Sequence, residues 1–418
     1  KYNDLLKLYF NDLINKLKNN TIKYHNIYID LNYLLHLSMY LSRDEDSFFK
    51  QLFNFLDNII KKIFALDNIM ISIDGTSSYS KIILQRKRRK NNIKNIDMKT
   101  LNSLHLTPGT KFMTKIKNMI LSYIEDRKNN LFKFRNINFI FSSSDEPGEG
   151  EIKIIKKMLY LNKNKKNKTN LIIGNDADLI VMSMACTKVK NIHILNKKND
   201  GYYIIDINKI GLKINNNIGC KSKYLNKIKK DFSFISIMMG NDYLPKLQFV
   251  KNNILLESYF QTKKRYKGFI IKKNKFNILF LKKFLINIIL NQNKRYRYIN
   301  LNKFNNKNIK KYLQGLLWCL KMYSSGKCPM YDYIYDEKSP TPIEILFYLE
   351  FNNIKDINIP KSEIKPISNK IYPMLVMPKK ACILIPNKYR ILLNNKYNFL
   401  FNDNYNLNIK DIKLIVNF

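Results

Sequence analysis

Acidic residues are scarce in this chain of 418 residues, and long hydrophobic runs are absent. Aspartate and glutamate together number 32 against 74 lysines and arginines, which gives a formal net charge of +42. No run approaches the roughly 20 apolar residues of a transmembrane helix, so no membrane segment is expected. The five cysteines are scattered, with no CxxC pair and no histidine at zinc spacing. This pattern excludes a typical zinc site and favours reduced thiols, hence the cytosol or the nucleus.

What the chain does contain is typical of a folded, strongly basic protein. Hydrophobic residues make up 45% of the sequence and aromatic residues 13%, which favours a packed core over a disordered tail. The excess of lysine, asparagine and isoleucine is typical of A/T-rich coding, so part of the charge reflects composition alone. A polyanionic partner is still favoured, because uncompensated positive charge destabilises a compact state.

Strand-like apolar runs alternate with helical repeats along the first half of the chain. Strands are predicted at 27–31, 69–74, 138–142, 170–174 and 191–195, and helices at 32–41, 47–64, 149–160 and 179–184. Such alternation predicts an α/β protein with a mostly parallel, doubly wound sheet flanked by helices.

A Lys/Asn-rich stretch divides the chain at 291–311. We interpret it as a linker between an α/β domain over 1–290 and a smaller, mainly helical C-terminal region over 312–418. A monomer is the default expectation.

Carboxylates occur where predicted strands end or helices begin. Ligands of open α/β sheets bind at the carboxyl ends of the strands, which share one rim. Clustered carboxylates repel each other unless cations neutralise them, and hard oxygen ligands select Mg²⁺ or Mn²⁺. Phosphodiester hydrolysis uses two such ions about 3.5–4 Å apart, so the pattern predicts a two-metal nuclease. The candidate catalytic and metal-binding residues are Asp30, Asp74, Glu149, Glu151, Asp176, Asp178 and Asp242.

Each acidic motif also has a simpler structural explanation when it is taken alone. In PGEGE, Glu149 and Glu151 could merely complement the dipole of a helix N-terminus. In GNDADLIV, a helix cap would explain one of Asp176 and Asp178 but not both. Asp242, in GNDYLP, follows an apolar helix predicted at 232–239. The order of the motifs favours the metal site over these separate explanations.

A basic segment follows Asp74. Lys81, Gln85 and Arg88 are spaced by four and three residues, so they share one face if the segment is helical, and Arg89 is adjacent. Arginine offers a forked donor, lysine a point charge and glutamine a neutral donor, a combination suited to a small phosphate. The alternative is a solvated basic helix or a localisation-like RKRRK tract.

Taken together, these motifs resemble those of a known family, the XRN-type 5′-to-3′ exoribonucleases. These are cytoplasmic and nuclear enzymes that degrade RNA with a 5′-monophosphate. The resemblance extends from about residue 27 to 386. It rests on IYIDLNYLLH, IDGTSSYSKIILQRKRR, LTPGTKF, PGEGEIK, GNDADLI, GNDYLP, LQGLLWCLKMYSSGKCP and MLVMPKKACILIP.

The resemblance implies a role for each candidate residue and a core like that of the PIN and flap nucleases. The seven carboxylates match the family's metal ligands. Lys81, Gln85, Arg88 and Arg89 match its pocket for the 5′-phosphate. His36 matches a histidine that stacks on the first base. The family's partner tryptophan is missing here, since the one tryptophan, Trp318, lies in an earlier helix-like segment; Tyr331 or Tyr333 is expected to replace it.

The implied function is processive hydrolysis of 5′-monophosphorylated single-stranded RNA to 5′-mononucleotides, in RNA turnover or processing. The short chain is expected to be a reduced catalytic core. Alternatives are a flap-type DNA nuclease, which should show a GxPGxG run that GNDYLPKLQF lacks, and an inactive RNA-binding relative, which should have lost some of the seven acids. A ribosomal-type basic protein would leave the carboxylates unexplained.

Overall fold

A seven-stranded sheet forms the centre of the computed structural model, which describes residues 10–17, 22–163, 167–198, 200–292, 305–352, 357–402 and 405–416. Its strands are β1 (Ile14–Lys16), β2 (Ile22–Asp30), β3 (Ile63–Ser72), β4 (Asn138–Ser142), β5 (Asn170–Ile173), β6 (Ile192–Lys198) and β7 (Gly201–Asp206). They are ordered β1-β7-β6-β5-β2-β3-β4, and a separate hairpin is formed by β8 (Ile271–Lys272) and β9 (Lys275–Phe276).

The chain leaves the middle of the sheet in two directions. Strands β3 and β4 follow β2 on one side, whereas β5 and β6 extend the sheet on the other, all in parallel. Strands β7 and β1 then pair antiparallel at that edge. The predicted mostly parallel α/β sheet is therefore confirmed. The antiparallel edge was not predicted, because three-residue β1 pairs with a strand far along the chain and local periodicity cannot show this.

The change of direction places a crevice between the carboxyl ends of β2 and β5. In open α/β sheets ligands bind at such a switch point. Asp30 is the last residue of β2, and Asp176 lies three residues beyond the end of β5. The topology therefore brings two of the predicted acidic residues to the position where the fold class binds its ligands.

Helices cover both faces of the sheet. Those of the first part of the chain are α1 (Asn32–Leu41), α2 (Glu45–Lys62), α3 (Tyr79–Asn92), α4 (Lys111–Asn130), α5 (Gly150–Leu161), α6 (Asp178–Ala185), α7 (Ile207–Asn217), α8 (Leu225–Met238), α9 (Asn252–Arg265) and α10 (Ile278–Asn291). Those that follow are α11 (Asn306–Ser325), α12 (Pro342–Phe351), α13 (Tyr372–Val376), α14 (Asn387–Asn394) and α15 (Ile409–Val416). None in the described part of the chain is long and apolar enough to cross a membrane.

Alternation along the central strand separates two hydrophobic cores. Ile27 and Ile29 pack with α1, α2 and α4 on one face, whereas Tyr28 packs with α5, α6, α8 and α11 on the other. This follows from the two-residue period of a strand, which sends neighbouring side chains to opposite faces. The sheet is therefore buried on both sides, as expected for parallel strands.

Helix boundaries differ slightly from the predicted ones. The prediction for α1 is confirmed at both ends. Helix α2 begins earlier than predicted, because Asp44 and Ser47 form a reciprocal capping box. It ends at Lys62 because Ile63 already has extended backbone angles and starts β3 without an intervening turn. The apolar repeat continues through Ile63, which is why the predicted helix extended too far.

The region beyond residue 305 is mainly helical, as predicted, and it packs closely on the sheet domain. Helix α11 begins at Asn306, inside the stretch interpreted as a linker; residues 293–304 of that stretch lie outside the described residues. Trp318 of α11 is fully buried and donates its indole N–H to the carbonyl of Met330 at 3.0 Å. The predicted domain limits remain a prediction.

A third core holds α3 against the C-terminal helices. Tyr79 and Ile82 of α3 pack with buried residues of α13, α14 and α15. On the same side of α3, the buried Arg86 donates to the carbonyl of Leu375 at 2.9 Å and to that of Leu400. The C-terminal segment therefore fixes the position of the basic helix.

Asparagines form a hydrogen-bonded ladder across four parallel strands. Asn26 is in register with Asn68 and with Asn170, and Asn68 with Asn138. Asn68 donates to Asn26 at 2.7 Å, Asn138 to Asn68 at 2.9 Å and Asn26 to Asn170 at 3.0 Å. A slip of one residue would break every rung, so the ladder stabilises the register that brings the acidic strand ends together.

Replacement of Asn26 by alanine should lower the free energy of unfolding by about 1–3 kcal/mol, because it removes two hydrogen bonds from a buried polar network. Urea unfolding at neutral pH measures this. Asn58→Ala, at an exposed position of α2, is the matched control and should change the value by less than about 0.5 kcal/mol. Equal effects of the two changes would contradict a role for the ladder.

Candidate active site

An asparagine joins the first two carboxylates of the rim. Nδ2 of Asn32, the first residue of α1, donates to Oδ1 of Asp30 and to Oδ1 of Asp74, both at 2.7 Å. Its Oδ1 accepts the backbone N–H of Asp74 at 3.0 Å. The backbone N–H of Gly150, at the start of α5, also donates to Asp74 at 2.7 Å. The ends of β2 and β3 and the start of α5 are thereby held together.

Glycines make this close approach possible. A Cβ atom at Gly150 would lie 2.9 Å from Nδ2 of Asn32 and 2.9 Å from Oδ1 of Asp30. A Cβ atom at Gly174 would lie 2.5 Å from Leu179 and 3.4 Å from Cβ of Asp30. Gly150 therefore leaves space that Asn32 and Asp30 occupy, and Gly174 leaves space for Leu179.

A lysine lies between two further acids. Nζ of Lys81, on α3, is 2.8 Å from Oε2 of Glu149 and 2.7 Å from Oδ2 of Asp242. Nη2 of Arg88 donates to Oδ1 of Asp242 at 2.8 Å. The hydroxyl of Tyr243 donates to Oε1 of Glu149. Two residues predicted to bind phosphate, Lys81 and Arg88, therefore neutralise predicted metal ligands in this structure.

The last three acids lie at the start of α5 and α6. The backbone N–H of Asp178 donates to Oδ1 of Asp176 at 2.9 Å. The hydroxyl of Tyr323, on α11, donates to Oδ2 of Asp178 at 3.1 Å and accepts from Nδ2 of Asn241 at 3.3 Å. Oε2 of Glu151 is buried and has no hydrogen-bond partner among the described residues. This group is therefore less fully satisfied than the pair held by Asn32.

Burial and mutual repulsion raise the pKa values of several of these acids. Burial and then the charge of Asp74 raise the pKa of Asp30 to about 7. Burial and then the charge of Asp176 raise the pKa of Asp178 to about 7. Burial is also the largest cause of the raised pKa values of Asp74 and Glu151. The rim therefore resists holding all its negative charges without a counter-charge.

Lys81 supplies part of that counter-charge. Burial lowers the pKa of its ammonium group, but the charges of Glu149 and Asp242 outweigh burial and leave the pKa well above its usual value. At Asp242 burial raises the pKa, but the charges and hydrogen bonds of Lys81 and Arg88 together outweigh burial and leave the pKa lowered. The ammonium group and the carboxylates therefore stabilise one another's charged forms.

The donor atoms of this rim fit a divalent cation. No group of three or more histidine, cysteine, aspartate or glutamate side chains, within the part of the chain that is described, is arranged as a metal site. Lys81 and Asn32 stand between the carboxylates instead. All the acidic donors are hard oxygen atoms, which suit Mg²⁺ or Mn²⁺, and the buried Oε2 of Glu151 lacks a partner. The seven-residue ligand set and the number of ions remain predictions.

The basic face of α3 lines a small cavity beside the acids, and the predicted helical placement of this segment is confirmed. The cavity has a volume of about 260 Å³. His36 is partly enclosed there, and this enclosure, followed by the charge of Arg89, lowers the pKa of its imidazole. The structure therefore brings the predicted phosphate-binding residues and His36 to one place. The predicted residues that line the cavity are His36, Asp74, Lys81, Gln85, Arg88, Arg89 and Glu149.

Tyr333 does not reach this cavity, and its predicted stacking role is corrected. The side chain is 5% exposed and stacks on Trp318, with ring centroids 5.0 Å apart. Its hydroxyl donates to the carbonyl of Lys311 at 2.7 Å. The reason is tertiary: α11 presents a buried tryptophan at this position, and the tyrosine ring completes the core instead of facing a base.

Two other tyrosines lie closer to the cavity. Tyr331 is half-buried and lines an adjoining cavity, which shares Ser77 and Glu149 with the one that contains His36. Its predicted stacking on the first base remains a prediction. Tyr372, which was not predicted, is buried and lines the same cavity as His36.

Sequence reasoning missed the residues that hold the acids in place. Asn32 and Tyr243 lie within the quoted motifs IYIDLN and GNDYLP, so their nearness to an acid along the chain was an available signal. Tyr323 carried no such signal, because it reaches Asp178 from a helix far along the chain.

A direct comparison supports the family resemblance over the first 198 residues of the chain. Residues 1–100 and 90–198 match the model described as the XRN 5′-3′ exonuclease N-terminus. These matches support an XRN-family member. The resemblance seen in the ordered motifs is thereby confirmed. The matched residues contain every candidate of the rim and the cavity from Asp30 to Asp178, whereas Asp242 and the C-terminal helices lie beyond them.

Named members of the family are similar to this chain over part of its length. The 5′-3′ exoribonuclease 1 of Saccharomyces cerevisiae is 25% identical over 306 residues, which cover 61% of this chain and 20% of that protein. The 5′-3′ exoribonuclease 2 of Arabidopsis thaliana is 28% identical over 207 residues, which cover 41% of this chain and 20% of that protein. The matched segment thus spans about a fifth of these relatives.

One similar solved structure is the catalytic core of Rad2 in complex with a DNA substrate. It aligns with a TM-score of 0.41 at 14% identity and covers 83% of this chain and 93% of that chain.

Removing one charge from the rim should stabilise the protein when cations are withheld. In EDTA at pH 7.5, Asp178→Asn should increase the free energy of unfolding by about 1–2 kcal/mol, since one pKa unit corresponds to about 1.4 kcal/mol. The raised pKa means that the native state binds more protons than the unfolded state between about pH 4 and 7. Native stability therefore falls as the pH rises through that range, and the advantage of the variant should be smaller at pH 5.

Urea unfolding at pH 5 and pH 7.5 measures this difference. Glu125→Gln, which removes an exposed charge from α4, is the control and should have little effect at either pH. If Asp178→Asn were less stable than the parent in EDTA at pH 7.5, repulsion among the carboxylates of the rim would not be destabilising the parent protein.

Proposed function

We propose that the chain is a 5′-to-3′ exoribonuclease that hydrolyses 5′-monophosphorylated single-stranded RNA to 5′-mononucleotides. The observation that carries this proposal is the shared cavity. The basic face of α3, including Gln85 and Arg88, lines it together with Asp74 and Glu149 of the acidic rim. An anion-binding face directly beside a set of carboxylates supports cleavage of the phosphodiester bond next to a bound terminal phosphate.

The proposed role of the cavity is to hold the 5′ end. Lys81, Gln85, Arg88 and Arg89 donate to the terminal phosphate, and His36 lies against the first base. A volume of about 260 Å³ is below the roughly 300–1,000 Å³ of sites for drug-sized ligands. This size favours a monophosphate over a triphosphate or a cap.

The residues around the acids keep the carboxylates in place. Asn32 fixes Asp30 and Asp74, while Tyr243 and Tyr323 fix Glu149 and Asp178. Mg²⁺ or Mn²⁺ held by these carboxylates would supply activation of water and stabilisation of the departing 3′-oxygen. Cleavage releases a mononucleotide and leaves a new 5′-phosphate on the shortened strand. The same cavity suits that new end, which supports processive action.

The decisive experiment is a time course on 3′-labelled single-stranded RNA with a 5′-monophosphate and Mg²⁺, beside 5′-hydroxyl RNA and DNA of the same sequence. Selective loss of the monophosphorylated RNA to mononucleotides is expected. Equal loss of DNA would favour the flap-type nuclease. Salt-sensitive binding without degradation would identify an inactive RNA-binding relative. The cellular role, whether RNA turnover or RNA processing in the nucleus or cytoplasm, is part of the proposal.

Replacing Asp176 or Asp178 by alanine should lower single-turnover cleavage at least about a hundredfold, as expected when electrostatic stabilisation of a reacting group is lost. Binding of the RNA in EDTA, followed by fluorescence anisotropy, should stay measurable because the basic cavity is intact. Glu125→Ala, an exposed change on α4, should leave both readouts unchanged. Unchanged turnover in both rim variants would refute the metal assignment.

Replacing Arg88 by alanine should reduce the preference for 5′-monophosphate over 5′-hydroxyl RNA by about tenfold or more, since a charged hydrogen bond contributes about 1.5–3 kcal/mol. The ratio of kcat/KM values on the two substrates measures the preference. Lys87→Ala is the matched control, because Lys87 is the preceding residue of α3 and lines a different cavity. A retained preference in Arg88→Ala would mean that the phosphate binds elsewhere.

A further inference from the structure

A groove of about 920 Å³ extends from the acidic rim along α5. It begins at Ser77 and Glu149, the two residues that it shares with the cavity of the α3 basic face. It ends at Lys157 and Tyr160, near the last turn of α5. Strand β4, at the edge of the sheet, forms one wall and α5 forms the other. Residues 326–328 and Tyr331, which follow α11, line part of the remaining side.

The walls of the groove combine positive charge with exposed aromatic surface. Lys156 and Lys327 are exposed, and Lys157 lies 5.2 Å from the ring centre of Tyr160. Tyr160 is 71% exposed. Lysines bind a phosphate backbone, and an aromatic ring stacks on any base, so this combination is typical of surfaces that bind single strands without sequence preference.

Another cavity adjoins the rim but suits a strand less well. It has a volume of about 730 Å³ and lies beside Asp242, on the other side of α3. Lys87 and Lys311 line it, but so do Asp242, Asp332 and Asp336. Four lysines against two carboxylates, Glu146 and Glu149, line the groove along α5, whereas two lysines against three carboxylates line this cavity. Carboxylates repel phosphates, so the charge of this cavity is the less favourable one.

We infer that the groove along α5 binds the part of the RNA strand that lies 3′ of the cleaved bond. The inference rests on the proposed function, because it takes the 5′-phosphate to occupy the cavity of the α3 basic face. A strand held there by its 5′ end leaves the rim at Ser77 and Glu149, where the groove begins. Lys156 and Lys157 contact its phosphates, and Tyr160 stacks on a base at the far end.

The length of the groove sets the number of nucleotides. From Glu149 to Tyr160 the helix rises about 16 Å at about 1.5 Å per residue. At about 3.4 Å per stacked nucleotide, about five nucleotides fill this distance. An RNA of three nucleotides therefore ends before Lys157, whereas an RNA of eight reaches Tyr160.

The test compares 5′-monophosphorylated RNAs of three and eight nucleotides, bound in EDTA so that hydrolysis does not occur. The variant Lys156→Gln/Lys157→Gln should weaken binding of the octamer about tenfold and that of the trimer less than twofold. Its slope of log affinity against log salt should be shallower by about 1.4 for the octamer, as expected for two lost phosphate contacts on a single strand. Lys188→Gln/Lys190→Gln, with the same charge change before β6, is the matched control and should leave the octamer affinity unchanged.

A second measurement uses the unaltered protein and does not depend on the variants folding. An octamer with 4-thiouridine at its sixth nucleotide should crosslink to peptides of α5 that contain Tyr160. Crosslinks to peptides that contain Lys87 or Lys311 would overturn the inference, as would equal weakening of trimer and octamer by the α5 variant. Degradation of monophosphorylated RNA by the unaltered protein, measured separately, shows whether the proposed function holds when this inference fails.

Discussion

Repulsion among carboxylates gathered at one rim of the sheet is the constraint on which the rest of this structure depends. The doubly wound topology places the ends of β2 and β5 on either side of one crevice, and α5 and α6 begin beside it. Burial and the neighbouring carboxylates then raise the pKa of Asp30 and Asp178 to about 7, so their charged forms cost free energy unless nearby groups counter the charge. Asn32 and Lys81 do this from two sides, one with an amide and the other with an ammonium group.

The surrounding structure holds those countering groups in fixed positions. Lys81 belongs to α3. Tyr79 and Ile82 of α3 pack in the C-terminal core, and Arg86 donates hydrogen bonds to two backbone carbonyls. Tyr323 links α11 to the rim, because its hydroxyl donates a hydrogen bond to Asp178. The asparagine ladder stabilises the register of the strands that end at the rim. The C-terminal helices are therefore part of the acidic site, although they lie beyond the residues that match the family model.

A local acidic centre lies within a chain of net charge +42, and this contrast is central to the proposed binding of RNA. Positive charge over the surface attracts a polyanion from a distance. Close to the rim, Lys81 and Arg88 pair with acids, and the same groups are the proposed donors to a terminal phosphate. These basic residues therefore have two candidate partners, a carboxylate and a phosphate, and both are negatively charged. Divalent cations bound to the carboxylates would favour pairing of the basic residues with the phosphate.

Local sequence patterns were enough to predict the α/β class, the helical face of Lys81, Gln85 and Arg88, and the strand ends that carry the acids. Periodicity and spacing encode such features locally, and the order of the motifs identified the family. The donors that meet those acids became visible only in the packed fold. Tyr323 reaches Asp178 from a distant helix, Tyr333 turns into the core against Trp318, and β1 pairs with β7 from the far end of the domain. A side chain's partner depends on how whole elements pack, and local sequence patterns do not contain that information.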